Sequence, residues 1–323
     1  MSGSLPSPIS RNVVWVLKMI SLNKYNGCFL GLAMGDAFGA PYEGGPLERL
    51  LWKAIGKTRD GKLRYTDDTQ MAIDLAESFL HNNSINQDHL AFAFSQNYKW
   101  SRGYGPSASK LLKLIKKDQN WREVNKKKLE TGSFGNGAAM RAPILAMCFP
   151  TDTKKLLDSV TKSAEITHAH PLGIEGAKLI ALTTQAAFQD LDNETMLTRL
   201  LRHCQSEIFI DKLTFCSENL ARPNLENSEI KRKLGNGIAA PQSCVTAIYF
   251  SLKYRNQEFS SMLNQITKLG GDTDTIGAMA GAIWGSFNQS DLLDYQQIQL
   301  IENHDKIISL SKQLFDSAHQ KWS

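Results

Sequence analysis

Thr66-Asp67-Asp68-Thr69 and Asp272-Thr273-Asp274-Thr275 are two compact clusters of hard oxygen ligands, separated by about two hundred residues. Small and apolar residues follow each cluster at helical spacing, which predicts that each cluster opens a buried helix. Adjacent carboxylates repel each other, so two such clusters brought together in a protein interior need cations to neutralise them. The pair therefore predicts a two-metal site that suits Mg²⁺. The alternative is a pair of capping aspartates, because N–H groups at a helix N-terminus favour carboxylates.

Helical periodicity dominates the remainder of the chain, whereas sustained alternation of β-branched residues is nearly absent. Glycine-rich breaks at 103–105, 132–137 and 235–237 separate the helical segments. Loops that carry function gather where a rigid scaffold presents them together, which places the expected site among these breaks. We predict an all-α fold, a single-domain compact orthogonal helical bundle with the two-metal site at its loop-bearing end.

The length and composition are sufficient for one large hydrophobic core. The chain has 323 residues, of which 42% are hydrophobic, and it shows no linker, low-complexity tract or repeat. We predict one domain over residues 25–323. Before it we predict an N-terminal extension, residues 1–24, that is partly disordered and leads into a helix from Val13 to Ile20. The extension is basic and free of acidic residues, which resembles an organelle transit peptide only weakly.

The charge and the cysteine content limit the ligands and the cellular compartment that can be expected for this protein. The net charge is +5, and the basic runs within 110–128 and 231–233 indicate solvated faces that could attract an anionic substrate. No groove-reading motif supports sequence-specific binding to nucleic acid. Five cysteines without a Cys-x-x-Cys spacing indicate neither a disulfide framework nor a zinc site, which predicts a reducing compartment, the cytoplasm. No apolar stretch reaches the roughly 18 residues needed to cross a bilayer, and we expect a monomer without a membrane partner.

Several unusual motifs accompany the two acidic clusters in a fixed order. These motifs are Gly31-Leu-Ala-Met-Gly-Asp-Ala-Phe-Gly39, Tyr42-Glu43, Gly132-Ser-Phe-Gly-Asn-Gly-Ala-Ala-Met-Arg141, Thr167-His168 and Leu234-Gly-Asn-Gly-Ile-Ala-Ala240. Together with the clusters they resemble the ADP-ribosylglycohydrolase family, from about residue 25 to about residue 290. Ser101-Arg-Gly-Tyr-Gly105 and the two longer glycine-rich loops are most similar to the ADP-ribosylhydrolase 3 branch. That branch is associated with ADP-ribose linked to serine, with poly(ADP-ribose) and with O-acetyl-ADP-ribose.

The metal ligands are assigned to the two clusters, because Mg²⁺ binds six oxygens and usually keeps some positions for water or substrate. The assigned ligands are Thr66, Asp67, Asp68, Asp272, Asp274 and Thr275. Two Mg²⁺ ions are expected, with Mn²⁺ as the alternative. Vicinal ribose hydroxyls or a water would take the open positions.

A catalytic role for Glu43 follows from the resemblance, since the family places this glutamate on a flap over the metals. The surrounding segment, residues 39–46, has the glycine and proline content of a mobile loop, which would let the carboxylate move. We expect Glu43 to act as general acid or base, with Asp67, Asp68 and Asp272 completing the catalytic set. The alternative for Glu43 is an exposed loop residue without a role.

The substrate-binding residues are expected in the glycine-rich loops, whose backbone N–H groups, hydroxyl and amide suit a diphosphate. Their spacing is not the dinucleotide fingerprint, so a Rossmann site is excluded. The resemblance implies that Phe134 stacks on adenine and that His168 lies near the pyrophosphate or ribose, while core packing is the alternative for Phe134. Asp36 is expected either to support the site from behind or to serve helix packing. The predicted set is Gly103, Gly105, Ser107, Gly132, Ser133, Phe134, Gly135, Asn136 and His168.

Together these expectations predict a Mg²⁺-dependent hydrolase that cleaves the glycosidic bond between ADP-ribose and a modified protein side chain. The O-linkage of serine is preferred, and the N-linkage of arginine on the same fold is the nearest alternative. The sequence also leaves open a non-catalytic ADP-ribose binder or crystallin-like protein, and a metal-dependent phosphoesterase. The expected partners are an ADP-ribosylated protein and ADP-ribose.

Overall fold

The computed structural model describes residues 20–128, 132–223 and 225–320. Within these ranges the chain forms seventeen α-helices joined by loops and short 3₁₀ turns, with no β-strand. The prediction of an all-α, single-domain fold is confirmed. The predicted N-terminal helix falls almost wholly outside the described residues, and the first described helix begins at Leu22.

The helices are numbered from α1 to α17 along the chain. Their bounds are α1 Leu22–Gly39, α2 Pro46–Ile55, α3 Asp67–Asn82, α4 Gln87–Asn97, α5 Pro106–Ile115, α6 Trp121–Lys128, α7 Ala142–Cys148, α8 Thr153–Glu165, α9 Pro171–Phe188, α10 Asn193–His203, α11 Glu207–Asn219, α12 Asn227–Lys233, α13 Ala240–Lys253, α14 Phe259–Leu269, α15 Thr273–Asn288, α16 Tyr295–Leu300 and α17 His304–Gln320. Of the described helices, none is long and apolar enough to span a bilayer.

The outer helices bury one face each, as their sequences require. In α8, Leu156, Val160 and Ala164 recur every four residues and are buried, whereas Lys154 and Lys155 are exposed. By contrast, α15 is buried on every side from Thr273 to Phe287. It packs against α1, α9, α13 and α14, so it forms the centre of the bundle.

The contact between α1 and α15 depends on glycines that recur every four residues along both helices and face one another. The opposed pairs are Gly27 with Gly285, Gly31 with Gly281 and Gly35 with Gly277. A Cβ on Gly277 would lie 2.5 Å from the carbonyl oxygen of Gly35, so the two backbones touch only because neither helix carries a side chain there. We call these three pairs the glycine ladder.

The glycine ladder ends where the site begins. The Thr273 hydroxyl donates a hydrogen bond to the Gly39 carbonyl oxygen at 2.9 Å, which ties the start of α15 to the end of α1. The start of α3 contacts the same two helices, because the Thr66 N–H donates to Asp36 of α1 and the Thr275 hydroxyl of α15 donates to Asp68. Both acidic clusters therefore open helices at one end of the bundle, as the sequence predicts.

Candidate functional site

A cavity of about 210 Å³ opens where α3 and α15 begin. Both acidic clusters contribute to it, together with Glu43, two glycine-rich loops and a few apolar side chains. The lining residues are Glu43, Asp67, Asp68, Met71, Gly103, Gly105, Pro106, Ser107, Ala108, Ser133, Gly135, Asn136, Gly137, Met140, His168, Ile238, Asp272, Asp274 and Thr275.

The first acidic cluster is held by hydrogen bonds to its backbone. The Thr66 hydroxyl accepts the Asp68 N–H at 3.3 Å and caps α3. Asp36, which is fully buried in α1, accepts the N–H groups of Thr66 at 2.9 Å and of Thr69 at 3.0 Å. Asp36 thus stands behind the cluster and supports it without lining the cavity.

The second acidic cluster is held mainly by neutral groups. The Asp272 carboxylate accepts a hydrogen bond from the Asn136 amide, which also donates to the Ser243 hydroxyl at 2.9 Å. The Asp272 N–H donates to the Asn236 carbonyl oxygen at 2.9 Å. Thr275 joins the two clusters, because its hydroxyl donates to Asp68 Oδ1 at 3.4 Å.

The electrostatics of the cluster are those of crowded, buried carboxylates. Burial, and then the neighbouring Asp36 carboxylate, raise the pKa values of Asp67 and Asp68 well above their usual range. Burial followed by Glu43 does the same to the pKa of Asp274, and burial raises the pKa of Asp272. Without a counter-charge, the folded protein therefore holds protons on these groups more tightly than the unfolded chain does.

The donor set fits a divalent cation with a preference for oxygen. Asp68 Oδ2 and Asp274 Oδ1 are buried and, within the described ranges, accept no hydrogen bond. Carboxylate oxygens of Glu43, Asp272 and Asp274 lie within 4.8 Å of one another. Buried carboxylate oxygens that lack partners are costly unless a cation binds them, and the absence of nitrogen or sulfur donors from this group favours Mg²⁺ or Mn²⁺ over zinc.

Three of the predicted site residues do not line the cavity. Thr66 is 2% exposed, and its hydroxyl caps α3. Gly132 has a φ of +82°, and a Cβ there would lie 2.5 Å from the His170 nitrogen, so its role is a tight backbone approach. Phe134 is 51% exposed, and its ring meets the His170 ring edge-on at 5.5 Å between centroids, so it is not packed in the core.

Sequence reasoning missed several lining residues. Ile238 is the most informative of them, because it is 70% exposed although its side chain is large and apolar. Its carbonyl oxygen accepts the Asn136 N–H at 3.0 Å, which joins the glycine-rich loop at 132–137 to the one at 235–237. An isoleucine after a glycine turn has no polar atom to mark it as a site residue. Its position beside Gly235 and Gly237 was the available signal.

Comparisons with known proteins agree with this geometry. The family model described as ADP-ribosylglycohydrolase matches residues 18–323. The ADP-ribosylhydrolase ARH3 of Homo sapiens is 31% identical over 341 residues, which covers 91% of this chain and 93% of that protein. The ADP-ribosylhydrolase ARH3 of Xenopus tropicalis is 32% identical over 308 residues, which covers 83% of this chain and 87% of the relative.

A solved structure has the same fold. It is described as an ADP-ribosylglycohydrolase-related protein complex, and it matches with a TM-score of 0.71 at 21% identity, covering 92% of this chain and 98% of that chain. The family model spans the helical bundle and every residue of the cavity. This chain therefore belongs to the ADP-ribosylglycohydrolase family and is a hydrolase of glycosidic bonds.

Proposed function

We propose that this protein is a divalent-cation-dependent hydrolase that removes ADP-ribose from modified serine side chains and releases it as free ADP-ribose. The observation that carries the proposal is the convergence of two buried acidic clusters with unpaired oxygens beside Glu43. The preference for serine rests on the likeness to relatives named ADP-ribosylhydrolase ARH3. The same likeness makes poly(ADP-ribose) and O-acetyl-ADP-ribose further substrates to test.

The two acidic clusters would hold two Mg²⁺ ions, and Mn²⁺ would meet the same donor set. The proposed ligands are Thr66, Asp67, Asp68, Asp272, Asp274 and Thr275. When bound, the cations supply Lewis acidity and a template for the vicinal hydroxyls of the ribose. The unpaired oxygens of Asp68 and Asp274 support this assignment.

Glu43 is proposed as the group that exchanges a proton with the leaving atom. It lies between α1 and α2, directly after a 3₁₀ turn, and its N–H donates to the Ala40 carbonyl oxygen at 3.3 Å. The turn brings its carboxylate to the oxygens of Asp272 and Asp274, and its side chain lines the cavity. A carboxyl group there can protonate the glycosidic atom while the neighbouring carboxylates stabilise positive charge on the sugar.

The glycine-rich loops are proposed to bind the diphosphate and the adenosine. Gly103 has a φ of +82°, and a Cβ on it would lie 3.9 Å from Asp67 Oδ1, so this loop lies directly beside the first cluster. Gly105, Ser107, Ser133 and Asn136 line the same cavity. Phe134, which is exposed between the lining residues Ser133 and Gly135, is proposed to stack on adenine.

The test is release of ADP-ribose from matched serine-modified and arginine-modified peptides, with Mg²⁺ or with a chelator. We expect free ADP-ribose from the serine peptide and no release after chelation. Faster release from the arginine peptide would overturn the choice of linkage, and AMP as the product would indicate a phosphoesterase. Binding of ADP-ribose without turnover of any substrate would indicate a non-catalytic binder.

A matched pair of variants tests Glu43. We expect Glu43→Gln to bind ADP-ribose normally and to lose most hydrolysis, because the amide keeps the shape of the side chain but cannot exchange a proton. Glu218→Gln, on an exposed part of α11, should behave as the unaltered protein does. Unchanged turnover in Glu43→Gln would remove Glu43 from the mechanism.

A further inference from the structure

His168 presents one ring nitrogen to the cavity and the other to the protein. Its Nδ1 lies 2.8 Å from the Thr167 hydroxyl oxygen. Its Nε2 edge faces the 135–137 loop, where a Cβ on Gly135 or Gly137 would lie 3.2 Å or 2.9 Å from it. His168 lines the cavity, and Nε2 has no hydrogen-bonding partner among the described residues. Nε2 is therefore the atom through which His168 can meet a ligand.

The Thr167 hydroxyl has a second partner, the buried guanidinium of Arg141. Arg141 Nη2 donates to Thr167 Oγ1 at 3.0 Å, and the same side chain donates to the carbonyl oxygens of Ser163 at 2.8 Å and Gly137 at 2.6 Å. Arg141 is 1% exposed, and these bonds hold its planar guanidinium in place, so it is a fixed feature of the site. Arg141 thereby connects Gly137, in the glycine-rich loop beside His168, to Ser163 near the end of α8.

These contacts set the direction of each hydrogen bond. A guanidinium can only donate, so the Thr167 oxygen accepts from Arg141. In the described part of the chain, the only other partner of that hydroxyl is His168 Nδ1, so its hydrogen points there. Nδ1 is then the acceptor, and a neutral imidazole whose Nδ1 accepts carries its proton on Nε2.

The surroundings also keep the ring neutral. Burial, and then the charge of Arg141, lower the pKa of His168 to about 3. Burial lowers the pKa of Arg141 to about 9, which still leaves the guanidinium charged at neutral pH. Protonation of the ring would also turn Nδ1 into a donor and leave the Thr167 hydroxyl hydrogen without an acceptor among the described residues. The donor chain from Arg141 to Thr167 to His168 is thus self-consistent across physiological pH.

We infer that Arg141 and Thr167 fix His168 as its Nε2–H tautomer, so that the ring offers a neutral hydrogen-bond donor to the cavity. That this donor meets an oxygen of the diphosphate or ribose of ADP-ribose rests on the proposed function and on the family resemblance, which places His168 near those groups. His168 would add a directed, uncharged donor beside the glycine-rich loop at 132–137, whose backbone N–H groups are proposed to bind the diphosphate. Arg141 and Thr167 act through His168 as positioning residues.

The first experiment measures the tautomer in the free protein. Long-range ¹⁵N–¹H correlation spectra of the ¹⁵N-labelled chain distinguish the two neutral tautomers and the imidazolium, and His168→Gln identifies the His168 signal among the seven histidines. We expect the Nε2–H pattern, unchanged between about pH 6 and pH 8. An Nδ1–H or imidazolium pattern at neutral pH would overturn the inference. This measurement needs no substrate, so its outcome is independent of whether the protein releases ADP-ribose.

The second experiment measures ADP-ribose affinity by calorimetry. We expect Thr167→Val to mix the two tautomers and to weaken binding about tenfold, the size of one hydrogen bond. Thr167→Ser keeps the hydroxyl and should restore both the spectrum and the affinity. Thr183→Val is the matched control, because it removes a buried hydroxyl in α9 that donates to the Leu179 carbonyl oxygen at 2.7 Å, away from the cavity.

The outcomes separate a positioning role from a structural one. A merely structural Thr167 would give valine variants at both positions with lower stability but unchanged affinity and an unchanged His168 spectrum, which would overturn the inference. If Thr167→Val does not fold, the spectrum of the unaltered protein still decides, because an Nδ1–H or imidazolium pattern there overturns the inference. Absence of hydrolysis together with the expected tautomer would count against the proposed function alone.

Discussion

The cluster at residues 66–69 is held by a carboxylate from a neighbouring helix, whereas the cluster at residues 272–275 is held by backbone contact at the end of the glycine ladder. Asp36 accepts the N–H groups of Thr66 and Thr69. On the other side, the start of α15 is tied down by the contact of Thr273 with Gly39 and by the neutral Asn136 amide. A charged side chain therefore supports the first cluster, whereas neutral, close-packed contacts support the second.

The difference shows where each cluster is vulnerable. Asp36 fixes the first cluster at the cost of one more buried negative charge, and its carboxylate raises the pKa values of Asp67 and Asp68. The glycine ladder adds no charge, but it tolerates no side chain along its length. We therefore expect the support of the first cluster to be sensitive to a change of charge, and the support of the second to be sensitive to a change of volume.

The largest effect is expected from adding a methyl group to the glycine ladder. Gly281→Ala would place a Cβ in contact with the Gly31 carbonyl oxygen and would force α1 and α15 apart. We expect a loss of more than about 3 kcal/mol of folding free energy, or insoluble protein. Gly105→Ala is the control, since a Cβ there meets no atom within 4 Å, and it should melt within about a degree of the unaltered chain. Equal stability of the two variants would show that the ladder does not hold the second cluster.

The next effect concerns the metal. Buried carboxylates with raised pKa values bind protons more tightly in the fold than in the unfolded chain, so their contribution to metal-free stability is greatest below the ordinary aspartate pKa of about 4 and declines as the pH rises above it. At pH 7.5, Mg²⁺ at a hundredfold excess over its Kd should stabilise the protein by about 2.7 kcal/mol. Asp68→Asn and Asp274→Asn should each reduce this gain, measured as the thermal shift with and without Mg²⁺. An undiminished shift in both variants would contradict the proposed metal site.

A pair of variants separates the two supports. Asp36→Asn places an amide N–H₂ among the backbone N–H groups that the carboxylate now accepts, so it should cost about 2 kcal/mol and weaken Mg²⁺ binding. Asn136→Ala removes one neutral donor to Asp272 and should cost less, about 1 kcal/mol. Thermal melts in chelator and in Mg²⁺ give both quantities. A larger loss of stability in Asn136→Ala than in Asp36→Asn would show that the neutral support contributes more than the charged one.

The sequence predicts the parts of this site that depend on local pattern. Runs of aspartate and threonine before apolar residues indicate the starts of two buried helices, and α3 and α15 begin there. The glycine ladder was not predicted, because a glycine inside one helix is unfavourable by itself and is explained only by the partner helix it meets. Four-residue spacing of glycines in two distant segments was the signal that could have revealed it.

The sequence predicted which residues belong to the site better than it predicted how their side chains are oriented. Most glycine-rich loop residues named from the sequence line the cavity, but the pattern does not tell which atoms face it. Thr66 is the clearest case, since a hydroxyl beside two aspartates suits both a metal and a helix cap, and in the fold it caps α3. Its role as a ligand remains a prediction, as does stacking of Phe134 on adenine.

The last effect concerns Asp74, a buried carboxylate outside the two clusters, which tests whether burial alone explains the behaviour of the clusters. Asp74 lies two turns beyond Asp67 on α3 and is 1% exposed. Its Oδ1 accepts hydrogen bonds from the Gln70 amide at 3.0 Å and the Asn97 amide at 2.8 Å. Burial raises its pKa to about 7, so its ionisation in the fold costs stability as the pH rises from about 4 to about 7.

Asp74→Asn should remove that cost, because the amide oxygen can still accept from Gln70 and Asn97 without carrying a charge. Part of the gain is lost again, because the amide nitrogen takes the place of Oδ2, which is buried and has no partner among the described residues. We expect the variant to be more stable than the unaltered protein by about 1–2 kcal/mol at pH 7.5, and to lose this advantage near pH 4, where both forms are neutral. Asp74 does not line the cavity, so the gain should be the same with and without Mg²⁺. A gain that disappears in Mg²⁺ would mean that bound cations favour the ionised form of Asp74. Asp74 would then be electrostatically coupled to the two acidic clusters, and burial alone would not explain its pKa.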